Sequence, residues 1–330
     1  MKFALLSRPR TQALLDGTLK SQGLPVEWLP VSAPLGWAPP TGEEYRSLSS
    51  GQFDGGEMSI SSFVETKAQG APIVALPVFL KRGLVQRSLF CPVDSALAAP
   101  AQLVGKRVGL VHYTSSMATW MRGILEQEYS LPRSGPAWFT LTPSATRTGF
   151  KPTLLEMPSG YAGAHSRARE ELDGYSHELE QPEAFLLSLM KQGELDAVVS
   201  YQTRLEAKDI QTLLSTEELF ESPDRGNGVY PINHIFVVRE STLKEFPGIG
   251  NSLWSILNEA RKLWRNYLPQ AEREPMEKEL ARLGWDPFAY RLGDLEKHTL
   301  ETFVDFLLDE KRITRRLAVE ELIDPDSTGY

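Results

Sequence analysis

Two rhythms of apolar and polar positions alternate along the chain. Short apolar runs predict strands at Phe3–Leu6, Val26–Val31, Ile73–Phe79, Ser88–Cys91, Lys106–Val111, Leu195–Val199 and Asn233–Val238. Between them lie stretches with apolar residues every three or four positions, the helical period. Thr11–Gln22 is one, with Gly23 as its stop. Capping boxes at Thr41-Gly-Glu-Glu44 and Ser62-Phe-Val-Glu65 open two more, and Gly70 closes the second. Met117, Met121, Ile124 and Leu125 share the face of another. Pro182–Gln192 follows, and the C-terminal part is helical over Ser252–Leu268, Pro275–Leu283, Leu295–Leu308 and Thr314–Ile323. From about Leu131 to Gln181 the chain is rich in Pro, Gly, Ser and Thr and has little periodicity, so no element is predicted there.

Strands that alternate with helices imply an α/β fold, a mainly parallel sheet covered on both faces. The pattern restarts near residue 105, after the Ala/Pro-rich connector Leu97–Pro100, which points to a second lobe. The helical tail packs most simply back on the first.

Composition narrows this further. The 330 residues suffice for two domains, and 41% apolar residues allow a sizeable core. A formal charge of −8 leaves no basic stripe for a nucleic-acid partner, although a few local cations can still hold a small anion. Cys91 is the single cysteine, which excludes a disulfide within the chain and a cysteine-based zinc site. The apolar start, Phe3–Leu6, is too short for a signal-peptide core and meets Arg8 and Arg10 at once; no stretch is long enough to cross a bilayer. A cytoplasmic protein without a membrane partner is expected. A homo-oligomer stays open.

The candidate chemistry is that of anion binding. Glu57-Met-Ser59-Ile-Ser61-Ser62 sits where a strand gives way to a helix, and free backbone N–H groups plus hydroxyls can hold an anion there. Helix capping alone also accounts for Ser62 and Glu65. Tyr113-Thr114-Ser115-Ser116, ahead of the helix with Trp120 and Arg122, repeats the geometry in the second segment. Two such helix starts, one per lobe, can grip carboxylates from opposite sides of a cleft. Arg8, Arg10, Lys81, Arg82 and Arg87 are the cations within reach, and an arginine can clamp a carboxylate with two bonds. Of the five histidines, no pair has helical metal-site spacing. His112 follows a strand, and His234 opens one; the bland reading of His234 is a hydrogen-bonded core residue. No dinucleotide turn, phosphate loop or nucleophile elbow is present, so no cofactor or metal is implied.

Several stretches resemble the 4,5-dihydroxyphthalate decarboxylase family. They are Ser7–Gly17, Phe53–Phe63, Ala75–Arg82, Leu103–Tyr113 with Trp120–Leu125, Gly193–Ala197, Tyr230–His234 and Trp285–Tyr290. They run in one order along nearly the whole chain. The resemblance implies a two-lobed type II periplasmic-binding-protein-like fold, with residues 1–88 and 235–330 in lobe one, 89–234 in lobe two, and the ligand between. It implies loss of CO2 from a hydroxylated aromatic dicarboxylate without an organic cofactor. Carried over by motif, His234 and Glu57 are candidate catalytic groups, and His112, which stands after a strand where the chain departs from the family, is a third candidate by its position. Arg10, Ser59, Ser61, Ser62, Arg82, Tyr113, Ser115, Ser116, Trp120 and Arg122 are the candidate substrate binders, with no metal site. The chain departs from the family at Leu84-Val85-Gln86, where members carry Phe-Arg-His, and at Val111-His112, where they carry Pro-Glu.

Two functions follow as expectations. The first is a cofactor-independent decarboxylase of a hydroxylated aromatic di- or polycarboxylate. The second is a non-catalytic cytoplasmic protein that binds a small anion.

Overall fold

The structure, a computed structural model, describes residues 1–21, 23–36, 48–144, 151–157, 182–200, 209–214 and 228–327. The capping box at Thr41–Glu44 and the histidines His165 and His177 lie outside the described residues. Strands are numbered along the chain: β1 (Lys2–Leu6), β2 (Glu27–Val31), β3 (Gly55–Ser59), β4 (Ile73–Ala75), β5 (Lys81–Arg82), β6 (Leu89–Pro92), β7 (Arg107–Leu110), β8 (Ala137–Ser144), β9 (Lys151–Glu156), β10 (Ala197–Val199), β11 (Ile210–Thr212) and β12 (Ile232–Arg239). The helices include α1 (Gln12–Leu15), α2 (Ile60–Ala68), α3 (Ser116–Tyr129), α4 (Pro182–Lys191), α5 (Ile249–Lys262), α6 (Gln270–Leu283) and α7 (Asp294–Asp309).

The chain divides into two compact units, each assembled from separated segments. The first holds residues 1–83, 229–305 and 314–330; the second holds 84–228 and 306–313. In the first, the sheet order is β2-β1-β3-β12-β4, with β5 also paired to β12. β1 runs parallel to β2 and β3, while β12 runs antiparallel to β3, β4 and β5. One face of this sheet presents Phe3, Leu5, Phe236 and Val238 to Leu253 and Leu257 of α5, all of them buried. The rings of Phe3, Trp28 and Phe236 sit 5.6–6.2 Å apart in that layer. The tail helix α5 thus completes the core of the first unit.

The second unit has the order β11-β6-β10-β7-β8-β9. β7 is parallel to β8 and β10, whereas β6 and β9 are antiparallel to their neighbours. Leu186 and Met190 of α4 pack with Leu195 and Val198 in its core. No helix among the described residues is long and apolar enough to cross a membrane.

Several predicted elements change. Thr11–Gln22 shortens to α1, and Gly17 follows at φ 75°, a left-handed conformation that suits a residue without Cβ. Pro77 follows closely on β4, which keeps only Ile73–Ala75 of the predicted run. Strands β8 and β9 occupy the stretch where no element was expected. The predicted helix Thr314–Ile323 is a single turn, Val319–Leu322. The predicted capping box at Ser62 is displaced by a turn: Ser59 is the N-cap of α2, and its Oγ accepts the Ser62 N–H at 3.2 Å.

Candidate active site

Register brings Glu57 and His234 together. In the antiparallel pair of β3 and β12, His234 lies opposite Ser59 and Phe236 opposite Glu57. Glu57 and His234 are therefore diagonal neighbours on one face, a separation that two long side chains can bridge. His234 Nδ1 lies 2.6 Å from Glu57 Oε1. The site falls at the carboxyl ends of the parallel strands β1 and β3, where ligands gather in open α/β sheets.

Glu57 is fully buried and still ionised. Burial alone pushes its carboxyl pKa up, but the bond from His234, the nearby charges of His234 and Arg8 and the Leu6 N–H outweigh that and bring it below the ordinary 4.5. Leu6 N–H donates to Oε2 at 3.2 Å, and Arg8 donates through Nε to Oε1 at 3.2 Å. Arg8 is set by the loop after β1, where Thr11 Oγ1 accepts the Arg8 N–H and donates to the Leu6 carbonyl. Sequence reasoning counted Arg8 only as one cation among several. Its place two residues after β1 was the available signal.

His234 is shifted down from 6.5, because burial disfavours the imidazolium more than Glu57 favours it. At neutral pH the ring is therefore neutral. An ionised carboxylate can only accept, so Nδ1 carries the proton and Nε2 keeps a lone pair. The pair is a positioned proton acceptor.

The serines stand beside it. Ser59 Oγ accepts from the Ser62 backbone and donates to Ser62 Oγ at 2.9 Å, and Ser61 Oγ lies 3.4 Å away. Ser61 is buried, while Ser59 and Ser62 are half-buried. Arg10 lies with its guanidinium carbon 3.3 Å from the Phe288 ring centroid, a cation–π contact.

Arg82 takes a different place from the one expected of a carboxylate binder. Its side chain is wholly buried, donating to Glu296 Oε1 at 2.9 Å and to the carbonyls of Pro287 and Tyr230. In the second unit Arg122 is likewise engaged: Nε and Nη2 fork onto Glu310 at 2.8 and 2.9 Å, and Nη1 donates to the Tyr113 carbonyl. Its guanidinium stacks on the Tyr113 ring at 3.9 Å. Trp120 is fully buried, edge-on to Phe306. These three side chains hold their own units together, and the acids that partner the two arginines lie far away in sequence. Ser115 caps α3 by accepting the Ala118 N–H at 3.2 Å, Ser116 is the first residue of α3, and His112 is half-buried in the preceding turn.

No family model matches the chain. A curated 4,5-dihydroxyphthalate decarboxylase of Comamonas testosteroni is 24% identical over 99% of this chain and 97% of that protein. A second protein of that name, from Pseudomonas putida, is 28% identical over 47% of this chain and 55% of its own length. The chain is thus similar over nearly its whole length to one 4,5-dihydroxyphthalate decarboxylase and over about half to another. Solved structures show the fold. The periplasmic aliphatic sulphonate binding protein SsuA of Escherichia coli superposes with a TM-score of 0.59 at 13% identity, over 98% of this chain and 96% of that one. SsuA of Xanthomonas axonopodis pv. citri, bound to MOPS, gives 0.57 at 15% identity over 97% and 96%. The desulfurization enzyme DSZB gives 0.53 at 15% identity over 99% and 97%. The chain thus has the two-unit α/β fold of these solved proteins.

Proposed function

We propose that this protein is a cofactor-independent decarboxylase of a hydroxylated aromatic di- or polycarboxylate, with His234 and Glu57 as its proton-transfer pair. The observation that carries this reading is the 2.6 Å contact between His234 Nδ1 and a Glu57 carboxylate kept ionised by Arg8 and Leu6. Nε2 of the neutral ring takes the proton of a ring hydroxyl, and Glu57 stabilises the imidazolium that forms. Electron density from the phenolate oxygen moves to the carbon that bears the leaving carboxylate, para to it. A proton from solvent adds at that carbon. The carbon–carboxylate bond then breaks, CO2 leaves, and its electron pair restores the aromatic ring. His234 returns its proton to the phenolate, so the net reaction consumes one proton. Ser59, Ser62 and Arg10 are the groups proposed to orient the ligand's carboxylates.

The sulfonate-binding neighbours favour a second reading, a protein that binds a small anion without chemistry. Val85-Gln86, which stands where the family resemblance implies an Arg-His pair, agrees with it as well. Release of CO2 from a panel of hydroxylated benzoates and phthalates separates the two. Turnover that falls by about 10²–10⁴-fold in Glu57→Gln and His234→Ala is expected. Stoichiometric binding without CO2 release from a folded protein would establish the second reading instead.

A further inference from the structure

A row of polar residues crosses the sheet of the first unit. His234 of β12 is paired with Ser59 of β3 on one side and with Lys81 of β5 on the other. These residues are half-buried, whereas Met58, Leu80, Arg82 and Ile235 next to them in the chain are buried. The row is an accessible place in an otherwise buried stretch of sheet.

An irregularity in β12 creates it. Ile232 pairs with Arg82, and a regular antiparallel register would then set His234 opposite Leu80, a buried apolar residue. Instead His234 pairs with Lys81, and Asn233 is the extra residue of a β-bulge. Bulges re-aim side chains next to functional sites. Residues directly opposite in an antiparallel pair share a face, with Cβ atoms about 4.5–5.5 Å apart. The ends of a histidine and a lysine so placed can meet at one atom.

Proton transfer between His234 and Glu57 makes no use of Lys81. Glu57 is committed to Leu6, Arg8 and His234. A cation opposite His234 even works against its protonation: burial lowers the His234 pKa most, and the charges of Arg8 and Lys81 lower it further. A bulge that brings a cation to a proton acceptor breaks a local rule, and such breaks belong where negative charge gathers during function.

We infer that Lys81 is a further catalytic residue, the cation that meets the substrate oxygen from which His234 takes its proton. This rests on the reading of Glu57 and His234 as the proton-transfer pair of a decarboxylase. After the ring carbon is protonated, that oxygen is a carbonyl. The carbon–carboxylate bond then breaks, CO2 leaves, and the electron pair of the bond passes through the ring to the oxygen, which becomes a phenolate. The Lys81 ammonium donates a hydrogen bond to it and stabilises the charge as it arrives. Lys81 keeps its proton throughout and His234 returns the one it took, so the proton balance of the reaction is unchanged.

Lys81→Met and Lys81→Arg in the full chain test this with two readings. One is CO2 release from the hydroxylated benzoates and phthalates. The other is the visible titration of bound 4-hydroxy-3-nitrobenzoate, whose phenolate absorbs where its phenol does not. Lys81→Met is expected to lower kcat by about 10²–10³-fold. It is also expected to raise the pH at which the bound probe ionises by about one unit or more, and Lys81→Arg to restore part of both. Should Lys81→Met not fold, Lys81→Gln takes its place with the same expectations. A lysine that only supports the fold would lower the melting temperature on replacement and leave the ionisation of the probe where it was. Turnover and probe ionisation at wild-type values in Lys81→Met overturn the role of Lys81 while the decarboxylase reading stands. A wild type that releases no CO2 overturns that reading, and the role of Lys81 with it.

Discussion

A carboxylate that accepts from a backbone amide, an arginine and a histidine has little freedom to change its charge. Glu57 is in that position, and its burial makes each partner count for more than it would in water. The consequence for pH is direct. His234 titrates below 6.5 in the folded chain and Glu57 below 4.5, so between each folded value and the unfolded one the unfolded chain binds the extra proton. Stability from this pair is complete above 6.5 and falls on acidification, first through the His234 window and then through that of Glu57. Urea midpoints measured from pH 8 down to 5 should decline below 6.5 in wild type, and His234→Asn should flatten that decline. A midpoint that rises on acidification in this window would contradict the assignment of a neutral buried histidine.

Strand register places the site, and register depends on contacts the linear sequence displays poorly. Gly55 faces Val238 across β3 and β12; a Cβ there would run into the Val237 carbonyl and crowd the Phe3 ring. Gly55→Ala is expected to cost about 1–3 kcal/mol and to lower proton-transfer activity with it, by shifting Glu57 against His234; chemical denaturation and turnover on one preparation check both. The apolar runs made β1, β2, β7 and β12 legible. β8 and β9 were hidden, since Thr140, Thr142 and Pro143 in β8 and Pro152 in β9 blur the alternation that marks a strand. Three serines between 59 and 62 all satisfy the rule for a helix cap; the end of strand pairing at Ser59 decides among them. Glu57 and His234 were each legible as polar residues at strand ends, yet their contact spans 177 positions and appears only through the diagonal of the sheet. Arg82 and Arg122 looked available because Glu296 and Glu310, their partners, lie 214 and 188 positions away.

Both units are discontinuous in sequence, so distant segments complete each one. Residues 306–313 belong to the second unit, whose other residues end at 228. Glu310 comes from that segment and neutralises Arg122, whose side chain has no exposed surface. Glu310→Ala leaves that guanidinium buried without its acid and is expected to destabilise the second unit by about 3–5 kcal/mol, read as an early unfolding transition in a denaturant melt. Gly123 and Phe306 tighten the same junction: a Cβ on the glycine would strike the ring. In the first unit, β12 sits between β3 and β4 but is written into the chain long after both. A ribosome adding about 5–20 residues per second delivers it on the order of ten seconds to half a minute after β3. Over that interval the nascent chain carries two strand edges whose partner has not yet been made, each a template for the wrong pairing. The strand that brings His234 to Glu57 thus also makes the newborn chain depend on whatever shields those edges until translation reaches it.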